Sequence, residues 1–206
     1  MSHAGQYITL LPGGPFALAP ALGYNLSNSD AMGGRVRLSI LMPVYNERST
    51  IEEILRRVQA VQLDGLTKEI VVVDDGSVDG TVDILRRYGG RINLIAQPNQ
   101  GTQAARNAAI RASSGRYIAL LDSDDGWLPE KLEQQMAVFA AQPTTGLVYG
   151  LVYLVDSEGT RKGSAMLGRP ILDQASAYEQ MLIVNPVPAL TAVIRKECLD
   201  ELGLFD

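Results

Sequence analysis

From Arg35 onward, short β-branched runs alternate with stretches whose apolar residues recur every three or four positions. That alternation predicts a βαβ architecture with a mostly parallel sheet. Leu38 to Met42 reads as a strand that Pro43 ends, because proline has no N–H to give to the ladder. Ser49-Thr50-Ile51-Glu52 fits a capping box, and Ile51, Ile54, Leu55 and Val58 share one face of the helix it opens. Glu69 to Val73 is almost wholly apolar, as a strand covered on both faces should be. A helix over Thr81 to Tyr88, a strand over Ile92 to Ala96, a helix over Gln103 to Ala112 and a strand over Tyr117 to Leu121 continue the alternation. Pro129 suits the first turn of a helix reaching Ala141. Leu147 to Val155 with the turn Asp156-Ser157-Glu158-Gly159 predicts a strand and a hairpin. A helix from Ser176 to Ile183, a strand from Thr191 to Arg195 and a short last helix follow.

Residues 1–34 break this texture. They are rich in Gly, Pro, Ser and Asn, lack periodicity and carry Asp30 as their one charge, which predicts a disordered or loosely docked arm ahead of a folded domain at 35–206. The segment Ile8 to Leu22 is apolar but holds Pro12, Pro15 and Pro20 with no Lys or Arg before it, so it does not read as a secretory leader. No run approaches the roughly 18 apolar residues of a membrane span. Composition narrows the function classes further. With 18 Lys+Arg against 23 Asp+Glu, the net charge of −5 leaves no basic surplus for a nucleic-acid backbone. The single cysteine, Cys198, forms no internal disulfide and points to a reducing, cytoplasmic setting. The single histidine, His3, lies in the arm, which removes histidine-based triads and most zinc sites.

Polar residues gather where the strands end: Tyr45-Asn46-Glu47, then Asp74-Asp75, then Asp122 through Asp125. In an open α/β sheet the crevice beyond the carboxyl ends of the strands is the usual ligand site, so the three clusters are expected to converge. Asp122 and Asp124 offer hard oxygen ligands suited to Mg²⁺ or Mn²⁺. Equally, one of these aspartates could cap the next helix while the others stay in a solvated turn. Asp74 or Asp75 could cap the helix near Thr81, or one of them could accept the N3–H of a uracil ring. Tyr45 is either a rim residue or a stacking face. Asn46 and Glu47 are either turn formers or partners of ribose hydroxyls. Arg106 and Asn107 interrupt an alanine-rich helix, and Trp127 is either packing or a sugar platform. No phosphate-binding loop of the Gly-x-x-x-x-Gly-Lys type follows any strand, and no Gly-x-Gly-x-x-Gly turn follows the first.

Four motifs in register carry a resemblance: Ser39-Ile40-Leu41-Met42-Pro43-Val44-Tyr45-Asn46-Glu47, then Ile70 through Asp74-Asp75-Gly76-Ser77 to Thr81, then Asn99-Gln100-Gly101 with Ala105-Arg106-Asn107, and Leu120-Leu121-Asp122-Ser123-Asp124-Asp125-Gly126-Trp127-Leu128-Pro129. Together they make the chain resemble the family 2 glycosyltransferases, inverting enzymes of the GT-A fold. That fold has a Rossmann-like, mostly parallel central sheet flanked by helices, with a small antiparallel element toward the C-terminus. The resemblance implies that Pro43, Tyr45 and Glu47 border the nucleoside, that Asp75 faces the base and that Arg106 lies near it. It places Asp122 on the ribose side, with Ser123 beside it in nucleotide-sugar binding, and makes Asp124 the ligand of a Mn²⁺ or Mg²⁺ ion. It further implies a nucleoside diphosphate sugar, of UDP type, as donor. The acceptor would be a glycan, lipid-linked sugar or small molecule of cell-wall or polysaccharide synthesis, compatible with peripheral membrane association. Met166 through Asp173 resembles the acceptor-side loop, and Gly203-Leu204-Phe205-Asp206 the start of the family's Gly-x-Phe-Asp segment. The family's acidic pair, which supplies the catalytic base, follows that segment. Asp206 could serve as that base, but its motif position argues otherwise, which leaves the catalytic base unknown and the donor half present without it.

Overall fold

The structure is a computed structural model of the 206-residue chain, and it describes residues 6–8, 16–18, 36–63, 65–156, 160–167, 177–183, 185 and 187–206. The strands are β1 (Gln6–Ile8), β2 (Phe16–Leu18), β3 (Val36–Val44), β4 (Leu66–Asp74), β5 (Asn93–Ala96), β6 (Tyr117–Leu120), β7 (Asp125–Trp127), β8 (Leu147–Tyr149), β9 (Val152–Val155), β10 (Arg161–Leu167) and β11 (Val193–Arg195). The helices are α1 (Ile51–Ala60), α2 (Thr81–Arg86), α3 (Thr102–Ala112), α4 (Lys131–Ala141), α5 (Ala177–Ile183) and α6 (Lys196–Leu202). The chain divides into two compact units, one of Arg35–Asp125 with Arg195–Asp206 and the other of Met1–Gly34 with Gly126–Ile194.

The first unit holds the parallel sheet, in the order β6-β3-β4-β5. The sequence explains why β3 and β4 are its centre. Leu38, Ile40, Leu41 and Met42 on β3 and Val71, Val72 and Val73 on β4 are fully buried, so both faces of these strands are covered and the apolar runs need no alternation. Helix α1 turns Ile51, Ile54, Leu55 and Val58 inward, and α3 packs on β3 and β4 through Ala105, Ala109 and Ile110. Small side chains on α3 let its backbone come close to the sheet.

Several boundaries differ from the sequence reading. Pro43 does not end β3, which runs on to Val44 beside Asp74. Leu41 and Pro43 turn their backbone groups toward the same neighbour, β6, whose pairing stops at Leu41↔Leu120. The donor that proline lacks therefore falls past the end of that ladder. The capping box does not form: α1 starts at Ile51, its N-cap residue Thr50 makes no side-chain cap, and the Thr50 and Ile51 N–H groups donate to the Glu47 carbonyl at 3.1 and 3.0 Å. Helix α2 is capped by Gly80, with Asp79 accepting from the Thr81 N–H at 3.0 Å, so neither Asp74 nor Asp75 serves there. It also stops at Arg86, short of Tyr88, and Pro129 lies before α4 instead of within its first turn.

A close approach fixes the lower end of this sheet. The Gly115 N–H donates to Ser39 Oγ at 2.8 Å, and a Cβ on Gly115 would lie 2.6 Å from the Ser39 nitrogen and 3.0 Å from the Arg37 carbonyl. Glu69 closes the cluster by accepting from Ser39, Ser114 and Gly115. Burial alone would raise the Glu69 carboxyl, but the bonds from Ser39 and Ser114 bring it below the usual range. Gly115→Ala is expected to cost about 2 kcal/mol, because besides the Ser39 hydroxyl the crowding atoms are backbone and cannot rotate away. A lower denaturant midpoint with an unchanged slope is the expected reading, and adding Ser39→Ala should not restore it.

The second unit is antiparallel. Strand β8 pairs with β2 and β11, and β9 with β1 and β10. The expected single strand from Leu147 to Val155 is thus two, and the expected hairpin is the β9–β10 pair, its turn residues 157–159 lying outside the described residues. Of the arm, the described residues 6–8 and 16–18 are β1 and β2, and the rest of that expectation also lies outside them. Inside this unit Lys131 is 1% exposed. Its Nζ donates to Gln135 Oε1 at 2.8 Å and lies 4.1 Å from the centre of the Trp127 ring, and burial holds its pKa well below the usual lysine range. The Gln135 amide donates to the Val148 and Thr191 carbonyls, and the Trp127 indole N–H donates to Leu190 O at 2.9 Å. Trp127 therefore packs with one face under the lysine. Among the described residues no helix is long and apolar enough to cross a membrane.

Candidate functional site

At the carboxyl end of the parallel sheet the first unit opens a cleft of about 480 Å³. Its lining includes Pro43, Tyr45 and Glu47 from the end of β3 and the loop after it, Asp75 after β4, Arg106 on α3, and Asp122, Ser123 and Asp124 after β6. All eight residues singled out in the sequence for nucleotide-sugar and metal binding are brought together here. Asp206 is exposed and is not part of this lining. Of the expected acceptor-side loop, Met166 and Leu167 belong to β10, and 168–173 lie outside the described residues.

The loops that carry these side chains are bonded to one another. The Asp75 N–H donates to Val44 O at 2.8 Å. The Asp75 carboxylate reaches the other way: Oδ1 accepts from Gln97 Nε2 at 2.7 Å and the Gln100 N–H at 3.0 Å, and Oδ2 accepts from the Gly101 N–H at 2.8 Å. Three N–H donors occupy three of about four lone-pair directions, leaving Oδ2 one further acceptor position. Close packing enforces this arrangement, since a Cβ on Gly76, at φ +81°, would lie 2.7 Å from the Asn99 nitrogen. Thr102, in the cleft wall, escaped the sequence reading, which began the helix one residue late, and Ala105, also in the wall, figured there in a motif and not as a site residue. The Asn-Gln-Gly turn ahead of them was the available signal.

Arg106 is 8% exposed. Its Nη2 donates to both oxygens of Asp122, at 2.8 and 2.9 Å, Nη1 donates to Gln103 at 3.3 Å, and Nε has no partner. A buried guanidinium N–H left without an acceptor is costly in isolation. Beside it on α3, Asn107 faces elsewhere. Its Nδ2 donates to Phe205 O at 2.6 Å and its Oδ1 accepts from the Phe205 N–H at 3.0 Å, clasping a segment 98 residues away.

Charge in the cleft is one-sided. Glu47, Asp75, Asp122 and Asp124 face a single Arg106. Glu47 accepts from the Thr50 hydroxyl, Asp75 holds the loop before α3 and Asp122 is paired, whereas Asp124 has no hydrogen-bond or ion-pair partner among the described residues. Behind it Asp125 is buried, and that burial, with the nearby charges of Asp124 and Asp122, pushes its carboxyl up to about 8. Such a wall repels a pyrophosphate unless a cation intervenes. The donor set fits Mg²⁺ or Mn²⁺, which take one or two carboxylates and complete their shell with water and phosphate oxygens. Among the described residues no group of three or more acidic, histidine or cysteine side chains stands ready to hold a metal without such help.

The family model described as glycosyl transferase family 2 matches residues 39–203. Among curated proteins, an Escherichia coli UDP-Glc:alpha-D-GlcNAc-diphosphoundecaprenol beta-1,3-glucosyltransferase is 30% identical over 165 residues, covering 79% of this chain and 62% of that protein. The chain spans about half the length of the curated relatives it matches. Among solved structures, a Pyrobaculum calidifontis mannosyltransferase in complex with GDP-Man and Mn²⁺ aligns with a TM-score of 0.56 at 24% identity, covering 94% of this chain and 51% of that one. Staphylococcus aureus TarS 1-349 in complex with UDP-GlcNAc aligns with a TM-score of 0.58 at 22% identity, covering 81% and 47%.

Proposed function

This chain belongs to glycosyl transferase family 2, and on that premise we propose that its cleft binds a UDP-sugar through a divalent cation and presents the sugar for inverting transfer to an acceptor hydroxyl. The observation that supports this most is the convergence of three strand-end loops and Arg106 on one cleft. In this reading Tyr45, which is 49% exposed, offers a face to the base, Asp75 accepts the base N–H on its remaining lone pair, and Glu47 borders the ribose. Asp122 is the ribose-side carboxylate, with Arg106 holding it and offering the open Nε–H to a ligand oxygen. Asp124, aided by donor phosphate oxygens, would hold Mn²⁺ or Mg²⁺. Held there, such an ion would supply charge to offset that developing on the departing diphosphate, a contribution of roughly several kcal/mol in such sites. The chain's own residues fix the donor so that the face of the anomeric carbon opposite the diphosphate is the one open to attack. The UDP-GlcNAc and GDP-Man complexes of fold neighbours support nucleotide-sugar use, and the Mn²⁺ of the second supports the metal.

A second reading is a nucleotide-sugar binding module without turnover. It draws on the cleft itself, where Glu47, Asp75 and Asp122 already have partners, Asp124 is the proposed metal ligand, and Asp206 is not in the wall. Calorimetry with UDP and Mn²⁺ beside an assay of UDP release tests both. Binding that weakens by at least about tenfold on chelation, roughly 1.4 kcal/mol, together with acceptor-dependent release of UDP, is expected of the enzyme. Binding without release at any acceptor favours the module, and no binding with or without metal would remove the nucleotide-sugar reading.

A further inference from the structure

Between two cleft residues, Tyr45 and Glu47, sits Asn46, whose φ of +57° is left-handed and the one positive value at a non-glycine among the described residues. Asn46 is not in the cleft wall. Instead it grips the loop after β4 from both its ends. Its backbone N–H donates to Ser77 Oγ at 2.9 Å, and its Oδ1 accepts from the Val78 N–H at 2.9 Å. The grip continues at Arg48, whose N–H donates to Asp79 Oδ2 at 3.1 Å and whose Nη1 donates to Asp79 O at 3.4 Å. Val78 is 85% exposed, so water would satisfy its N–H equally well if satisfaction were all that mattered. What the protein–protein bond adds is geometry: the loop bearing Tyr45 and Glu47 is locked in register with the loop bearing Asp75.

We propose that Asn46 is a positioning residue for nucleoside binding, acting through Tyr45 and Glu47 and touching no ligand itself. This inference rests on the nucleotide reading of the cleft. Two properties of the side chain are used, and they can be separated by substitution. The left-handed backbone is tolerated by Asn, Asp and Gly but strains other residues, and the Val78 bond needs only an acceptor.

The test measures UDP affinity in the presence of Mn²⁺ for Asn46→Asp, Asn46→Gly and Asn46→Ala, at a temperature where each is folded. Asn46→Asp keeps both properties and should bind within about twofold of the parent, Asn46→Gly keeps the backbone alone and should bind about fivefold more weakly, and Asn46→Ala should lose about twentyfold. Exchange of the Val78 amide, read without ligand, should be unchanged in Asn46→Asp and about tenfold faster in the other two. Asn46→Asp binding as poorly as Asn46→Ala while its Val78 amide stays protected would mean that the grip on the neighbouring loop does not set affinity, and it would overturn the inference. A flat affinity series in a parent that binds UDP would overturn it alone. A parent that binds no UDP would overturn it together with the nucleotide reading.

Discussion

Asp124→Ala is expected to abolish metal-dependent UDP binding, a loss of at least about 100-fold, or roughly 2.7 kcal/mol. Of the four carboxylates in the cleft, Asp124 is the one whose oxygens no described residue uses. The others are committed: Glu47 to Thr50, Asp75 to the loop before α3, Asp122 to Arg106. Those bonds already engage part of each of the other three carboxylates, whereas every lone pair of Asp124 is open among the described residues. Removing Asp124 therefore leaves the diphosphate facing Glu47, Asp75 and Asp122 without the ligand proposed to anchor the neutralising ion. The same observation predicts that the fold survives, because Asp124 is only half-buried and stitches nothing. The far-ultraviolet spectrum should be unchanged while calorimetry with UDP and Mn²⁺ loses its heat. Undiminished affinity would remove the metal assignment.

Asp75→Asn should have the next largest effect, and a different signature. A carboxamide has one acceptor oxygen where Asp75 has two. With its oxygen turned to Gln97 and Gln100, its NH₂ would oppose the Gly101 N–H, which now sits 2.8 Å from Oδ2. That leaves a donor facing a donor at the entrance to α3, a cost of about 1–3 kcal/mol. The remaining lone pair on Oδ2, proposed here for the base N–H, is lost as well. Uridine nucleotides are expected to bind roughly 100-fold more weakly, with a lower melting temperature, while inorganic pyrophosphate with Mn²⁺ should lose far less. An equal loss for both ligands would mean that Asp75 does not read the base.

The sheet could be read from the sequence because its central strands are buried on both faces, which writes uninterrupted runs such as Ile70 to Val73 into the chain. The site could be read because a parallel sheet delivers all its strand ends to one edge. Eight residues chosen at the ends of three strands and on one helix had to meet if the strands were parallel neighbours, and they do. What escaped depends on partners that local sequence does not specify. Nothing around Pro43 announces that the β6 ladder stops before it. Lys131 looks like an ordinary exposed lysine in the first turn of a helix until Gln135 and Trp127 are found around it. Asn46 reads as a turn former, and only the register of β3 against β4 shows which loop it holds. Asn107, beside Arg106 in an alanine-rich helix, gives no local hint of Phe205.

The clasp between Asn107 and Phe205 also bears on folding order. In the parallel sheet β3 pairs with β4 and β4 with β5 across much shorter stretches, Leu38 with Lys68 and Val71 with Asn93, whereas this pair must close a loop of 98 residues that contains the whole span from Gly126 to Ile194. Closing so long a loop is entropically unfavourable and comes after local contacts. On a ribosome, α3 can emerge and pack long before the peptide that Asn107 will grasp has been synthesised, so the helix that lines the cleft spends part of its early life with an empty amide.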